Sequence, residues 1–297
     1  MAEALRYDPL GPSGTWHRQR ARLLVYGLLT LFALYYLLPL VVVILNSFRD
    51  LPDISRAGLI GLPSSFSLSY WPIAWSKFCV GGTCAGIAPF FFNSVAMAVP
   101  ATIISTAIGA VNGYVLSKWR FPGSELLFGF MTLGVFMPGQ MVLLPWAVVL
   151  GWLKLTNTTA GLVLIHCVQG LSFTTLFCRN YYVNIPDDLI KAARIDGAGF
   201  WRIFRKIVLP LSPPILIVTV IWQCTNIGNE FLFAVIFSSG THQPITAALI
   251  ALSAGGTSVH QYNVESAAVL IAAAPPLLIY LFGGRYFLRG LTQGALK

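Results

Sequence analysis

The sequence predicts an all-α membrane protein of six transmembrane helices that carries one structured polar loop. Three observations lead there. Hydrophobic residues make up 56% of the 297 and charged residues only 10%, against roughly 25% charged in soluble domains, and the mean hydropathy is +0.74. Six apolar runs reach the ~20 residues that a helix needs to cross a bilayer. Fifteen of the 19 Lys and Arg fall on one side of the alternating topology these runs define. The net charge of +9 is therefore a topological signal, and no nucleic-acid partner is expected.

The runs are 23–45, 95–117, 126–150, 160–178, 211–237 and 267–284. A polar tail, 1–22, precedes a membrane domain of 23–290, and a short tail, 291–297, follows it. The first run is too long for the core of a cleavable signal, so none is expected. The third, fifth and sixth runs contain or border prolines: Pro138, Pro145, Pro213, Pro214, Pro275 and Pro276. Proline frees a backbone group, which inside a bilayer a neighbouring helix must satisfy, so a bundle is expected. With the N-terminus inside, the outer segments hold only Arg49, Arg56, Lys77 and Lys154. Basic residues near spans track the cytoplasm, which places both termini inside.

Three outer connections follow. The first, 47–92, is rich in Gly, Pro, Ser and aromatics, with Trp71 and Trp75 as interfacial anchors. It holds Cys79 and Cys84, whose spacing leaves a disulfide and two free thiols both open. Cys167, Cys178 and Cys224 lie within runs and read as small core residues. The second connection, 154–159, is short. The third, 238–266, is too long for a tight turn and reads either as a binding or gating loop or as a connector.

The polar loop, 184–210, reads as two short helices joined at a glycine. Pro186 suits a first helical position, and Asp187 and Asp188 favour the positive end of the helix dipole. Lys191, four residues after Asp187, makes a supportive pair. Leu189, Ala192, Ala193 and Asp196 share a face whose small residues admit close approach. Gly197 and Gly199 break the helix. Phe200, Ile203, Phe204, Ile207 and Val208 then recur at i, i+3, i+4, i+7 and i+8 with Arg202, Arg205 and Lys206 opposite, an amphipathic helix. The loop reads as a docking surface or as a solvated connector.

In the fifth run, Glu230 is the only acid within any span. It ends a ladder of Gln223, Asn226, Asn229 and Glu230, of which 223, 226 and 230 recur on one helical face. Ionisable groups at this depth mark pathways for polar solutes or polar glue between helices. His166 and Gln169 in the fourth run, with Asn93 and Asn112 in or beside the second, read as packing residues. No phosphate loop, catalytic triad or metal-ligand spacing occurs, so neither enzymatic activity nor a cofactor is expected of this chain.

The loop resembles the signature of binding-protein-dependent ABC transporter permeases, E-A-A, three residues, G, nine residues, I-x-L-P. Lys191-Ala192-Ala193, Gly197 and Ile207-Val208-Leu209-Pro210 keep that spacing, and Ile185-Pro186, Leu189 and Ile195-Asp196-Gly197-Ala198 match its extended form. Phe92-Asn93-Ser94, the stretch from Lys118 to Gly123, Asn229-Glu230-Phe231 and the tail from Arg285 to Thr292 resemble the carbohydrate, maltose-type branch. The insertion CVGGTCAGIAPFFFNS is similar to glucose/mannose-type permeases.

The resemblance implies a type I importer permease of the bacterial inner membrane, multi-pass, with the loop as a coupling helix seated on a separate ATPase. The docking residues it implies are Asp187, Leu189, Lys191, Ala192, Ala193, Asp196, Gly197, Phe200, Leu209 and Pro210. The family's usual Glu is Lys191 here, a charge reversal. Implied partners are a second permease subunit, two ATPase subunits that use ATP and Mg, an extracytoplasmic sugar-binding protein reached through 241–262, and membrane lipid. The implied cargo is a sugar, a monosaccharide such as glucose or mannose. An amino acid or phosphate is the nearest rival, and an ion-driven carrier would instead show inverted repeats and paired intramembrane charges.

Overall fold

The computed structural model describes residues 12–80, 84–254 and 260–295, and they are helical throughout apart from turns and connections. The chain divides into two compact units, 1–70 with 261–267, and 71–260 with 268–297.

In the first unit, α1 (Pro12–Asn46) contains the first apolar run and begins inside the stretch expected to be a polar tail. Its apolar side chains from Leu23 to Val41 are exposed within this chain, as befits a span whose surroundings are hydrocarbon or another protein. Just past its end, Arg49 is fully buried. Its guanidinium donates to Asp53 Oδ2 at 2.8 Å, to Asn46 Oδ1 at 3.0 Å and to the Gly58 carbonyl at 2.9 Å. A buried charge is tolerated only when paired and fully bonded, and this knot fastens the short α2 (Leu51–Ala57) beneath α1.

The second unit runs through α3 (Tyr70–Ser76), α4 (Ala88–Lys118), α5 (Ser124–Phe136), α6 (Leu143–Leu153) and α7 (Thr159–Tyr182). Then come α8 (Asp187–Ile195), α9 (Phe200–Ile203), α10 (Pro213–Asn229), α11 (Leu232–Phe237), α12 (Ile245–Ala254) and α13 (Tyr262–Ala295), whose residues up to Ala267 belong to the first unit. Its axis is the pairing of α4 with α7. Gly109 and Gly113, one turn apart, face Thr174 and Cys178, and a Cβ at Gly113 would meet the Arg179 backbone nitrogen at 2.7 Å. Small residues let spans approach until backbones touch. Thr174 Oγ1 uses that closeness to donate to the Ser105 carbonyl at 3.0 Å.

Two of the six expected spans are not straight helices. The third breaks before Pro138, and the pieces Ser124–Phe136 and Gly139–Leu153 meet at 108°; proline cannot continue the hydrogen-bond ladder there. The fifth, expected as one run over 211–237, starts at Pro213 and ends at Asn229. Glu230 is extended, and α11 follows separately. The other four expected runs lie within α1, α4, α7 and α13.

Cys79 and Cys84 form a disulfide, while Cys167, Cys178 and Cys224 are free. The third connection is not a loose link. It contains α12, with Ile245, Ala247 and Ala248 buried, and residues 255–259 of it lie outside the described ones. Asn93 Nδ2 holds it by donating to the carbonyls of Thr241 (2.6 Å) and Gln243 (3.0 Å), and Ser94 Oγ accepts the Ile245 N–H at 2.8 Å. Asn93 is thus a clamp on the connection as well as a packing residue.

Candidate functional site

The polar loop is built as two helical pieces seated on a shared core. α8 is nine residues long with Asp187 and Asp188 in its first turn. It ends in a Schellman motif: Gly197 N–H donates to the Arg194 carbonyl at 3.0 Å and Ala198 N–H to Ala193 at 2.9 Å. This closure requires a left-handed residue after the helix, and Gly197 has φ +76°. The glycine of the signature is therefore explained locally by the backbone.

Beyond it, α9 passes into a wide π-type turn, Phe204–Val208, and a tight 3-10 turn, Leu209–Leu211. The expected amphipathic stripe survives this irregular winding. Ile203, Phe204 and Val208 are buried with Tyr114, Tyr182, Ile190 and Ile215, while Arg202, Arg205 and Lys206 are exposed. Phe200 lies 4.9 Å from the Tyr114 ring and 5.3 Å from that of Trp119. It anchors the loop to its own bundle.

The end of α4 holds α8 from the other side. Lys118 Nζ donates to the Ile185 carbonyl and to Asp187 Oδ1, each at 2.6 Å. Arg194 donates to the Lys118 carbonyl at 3.1 Å and lies over the Trp119 ring at 4.2 Å. The Lys118 ammonium, first through its hydrogen bond and then through its charge, holds the Asp187 carboxyl below the usual carboxylate range. Lys191 pairs with Asp188 at 3.3 Å, not with Asp187 as the i, i+4 spacing suggests, and acts on Asp187 only through its charge.

The face expected to carry Leu189, Ala192, Ala193 and Asp196 together is split. Leu189, Ala192 and Asp196 are exposed, whereas Ala193 packs half-buried against the shared core. Further round α8, Ile195 is 86% exposed, and Leu189 is 47% exposed. With Trp201 and Leu209, four large apolar side chains stand exposed on the loop. Leu209 and Pro210 are exposed as well, beyond the π turn.

The polar ladder of the fifth span also divides. Gln223 is 1% exposed and donates from Nε2 to the His166 carbonyl on α7 at 3.1 Å. Asn226 and Asn229 lie on the open side of α10, on the same helical face as Trp222, whose ring stacks on Phe173 at 3.3 Å. Glu230 leaves the helix. Its Oε1 accepts the Phe233 N–H at 3.0 Å, capping the start of α11, and its other oxygen lies 4.0 Å from His166 Nε2. The single face expected for 223, 226 and 230 fails because the helix ends before 230. The residues that sequence reasoning missed here are Phe173 and Trp222; the signal was Trp222 one turn before Asn226.

The family model described as the binding-protein-dependent transport system inner membrane component matches residues 105–292, which contain both features. The diacetylchitobiose uptake system permease protein of Streptomyces coelicolor is 29% identical over 92% of this chain and 88% of its own length. The xylose/arabinose import permease protein of Haloferax volcanii is 30% identical over 92% of this chain and 93% of its own. A solved bacterial ABC transporter involved in import of the acidic polysaccharide alginate superposes with a TM-score of 0.78. It is 18% identical and covers 91% of this chain and 97% of that one; at that identity the likeness is one of fold. The chain belongs to the binding-protein-dependent transport system inner membrane components, the non-catalytic permease subunits of ABC importers.

Proposed function

We propose that this chain forms part of the membrane pathway for a sugar, in a transporter with a second permease subunit, two ATPase subunits and an extracytoplasmic binding protein. ATP and Mg are used by the ATPases. The observation that carries the reading is the loop 184–210, rooted on the bundle by Lys118 and Phe200 while Leu189, Ala192 and Ile195 stand exposed. A rigid base with a free apolar flank suits transmission of a push between subunits. Both termini and this loop are assigned to the cytoplasmic side from the distribution of Lys and Arg; the Cys79–Cys84 disulfide, in the opposite set of loops, supports that by needing an oxidising compartment.

A sugar is favoured by the open face of α10. Asn226 and Asn229 offer amides to hydroxyl groups, and Trp222, stacked on Phe173, offers a flat apolar surface of the kind that the C–H faces of sugar rings cover. The relatives named for diacetylchitobiose and for xylose and arabinose agree with the class. Within it, a monosaccharide such as glucose or mannose is our narrower reading. The test is ATP hydrolysis by the purified transporter with its binding protein, across glucose, mannose, xylose, arabinose and diacetylchitobiose. Stimulation by one or more of them supports the proposal. Stimulation by an amino acid or phosphate, with no sugar active, would sink it.

A further inference from the structure

Between the end of α4 and one flank of α8 lies a cleft of about 400 Å³, lined among others by Lys118, Arg120, Asp187, Lys191 and Arg194. Four cations thus meet one carboxylate inside it. Lys118 is engaged with Asp187 at 2.6 Å, and Lys191 reaches Asp188 outside the cleft at 3.3 Å, an exposed pair. Arg194 is bonded only to a neutral carbonyl and a ring, and Arg120 is exposed. Counting both carboxylates against the four cations leaves two positive charges uncompensated.

The place of the cleft limits what fills it. It sits at the end of α4, a candidate span, beside Trp119, and tryptophans at span ends favour the membrane–water interface. Asp187, Lys191 and Arg194 recur at i, i+4 and i+7 on the cleft flank of α8, whereas Leu189 and Ala192 lie on the far side and Ile195 stands between the two. A protein seated on Leu189 and Ala192 would leave that side of α8 uncovered.

We propose that the cleft binds the phosphate of an anionic phospholipid headgroup. Basic pockets between spans on the cytoplasmic side hold acidic headgroups, and the inference rests on assigning this end of α4 to the cytoplasm. A membrane supplies such phosphates at high local concentration, next to the site and without a diffusional search. Free phosphate offers the same oxyanion, so the test separates the two.

The experiment is native mass spectrometry of the transporter purified with its partner subunits, titrated with phosphatidylglycerol, phosphatidylcholine or inorganic phosphate. Phosphatidylglycerol should be retained and phosphatidylcholine should not. Each cation near a lipid surface contributes about fivefold, the equivalent of about 1 kcal/mol. The double variant Arg120→Gln with Lys191→Gln should therefore weaken phosphatidylglycerol binding about 25-fold. Both residues are exposed, so the fold should persist, and Arg120→Lys should restore the affinity at that position. Arg205→Gln, which removes an exposed cation outside the cleft, should change nothing. Unchanged binding by the double variant overturns the proposal. So does equal weakening by Arg205→Gln, which would mean diffuse surface charge, or displacement of the lipid by millimolar inorganic phosphate, which would mean a site for the free ion.

Discussion

The Lys118 ammonium, 4% exposed, lies 2.6 Å from the carboxylate of Asp187, which is 69% exposed. The two halves of this pair are expected to differ in value. Removing Lys118 also strips the Ile185 carbonyl of its side-chain donor, so Lys118→Met should cost about 1–3 kcal/mol. Asp187→Asn should cost less than about 1 kcal/mol, since water already solvates that carboxylate. Urea midpoints of the purified protein would rank them. Because the pair lowers the Asp187 pKa from 3.8, its stabilisation is complete above that ordinary value and fades as pH falls through the lowered one. Asp187→Asn should accordingly flatten part of the acid side of the stability profile and lower the plateau at pH 7 to 8 by the small cost of the lost pair, with no change of slope there.

At the crossing of α4 and α7, Gly113→Ala places a methyl 2.7 Å from backbone at Arg179. A backbone cannot turn aside as a side chain can, so the helices must separate, at about 1–3 kcal/mol. Gly129→Ala, with open space around its Cβ, is the control and should be neutral or slightly stabilising. Thermal unfolding in detergent distinguishes the two outcomes.

Ala192 is exposed, whereas its neighbour Ala193 is half-buried against the core. Ala192→Trp should leave unfolding temperature and membrane insertion intact while reducing ATPase co-purification and sugar-stimulated hydrolysis more than tenfold. Ala193→Trp should instead destabilise the permease itself, because it overfills the core beneath the loop. Normal transport by the Ala192 variant would remove the outward flank of α8 from the docking surface.

Glu230 is expected to act first through α11. Glu230→Gln keeps an oxygen for the Phe233 N–H and should stay within a few tenths of a kcal/mol of the parent, whereas Glu230→Leu loses the cap and should cost about 1 kcal/mol. Asn226→Leu and Asn229→Leu should leave stability unchanged and raise the KM for transport. Equal transport defects in Glu230→Gln and Glu230→Leu would show that the charge itself is required.

Thiol counting checks the outer loop. Denatured without reductant, the protein should alkylate at Cys167, Cys178 and Cys224 only; after reduction all five of its cysteines should react. Labelling at Cys79 or Cys84 before reduction would contradict the disulfide.

Length was enough to find the apolar runs, since ~20 apolar residues can satisfy their backbone in a bilayer only as a helix; four of the six lie within single long helices, while the third and fifth are broken. The stripe from Phe200 to Val208 was equally legible, because burial follows the period of a helix even through the π turn. The signature spacing identified the loop, and Gly197 at φ +76° shows why one member must be glycine. What the tertiary structure alone decided is direction. Lys118 lies 67 residues from the carbonyl it binds, so no local pattern announces that Lys118 holds Asp187 while Lys191 reaches Asp188. Gln223 and Asn226 part company because α7 covers one and not the other, and Glu230 drops from the ladder because α10 stops at Asn229. A period places side chains around an ideal helix; which neighbour arrives, and where the helix ends, are settled by packing between distant segments.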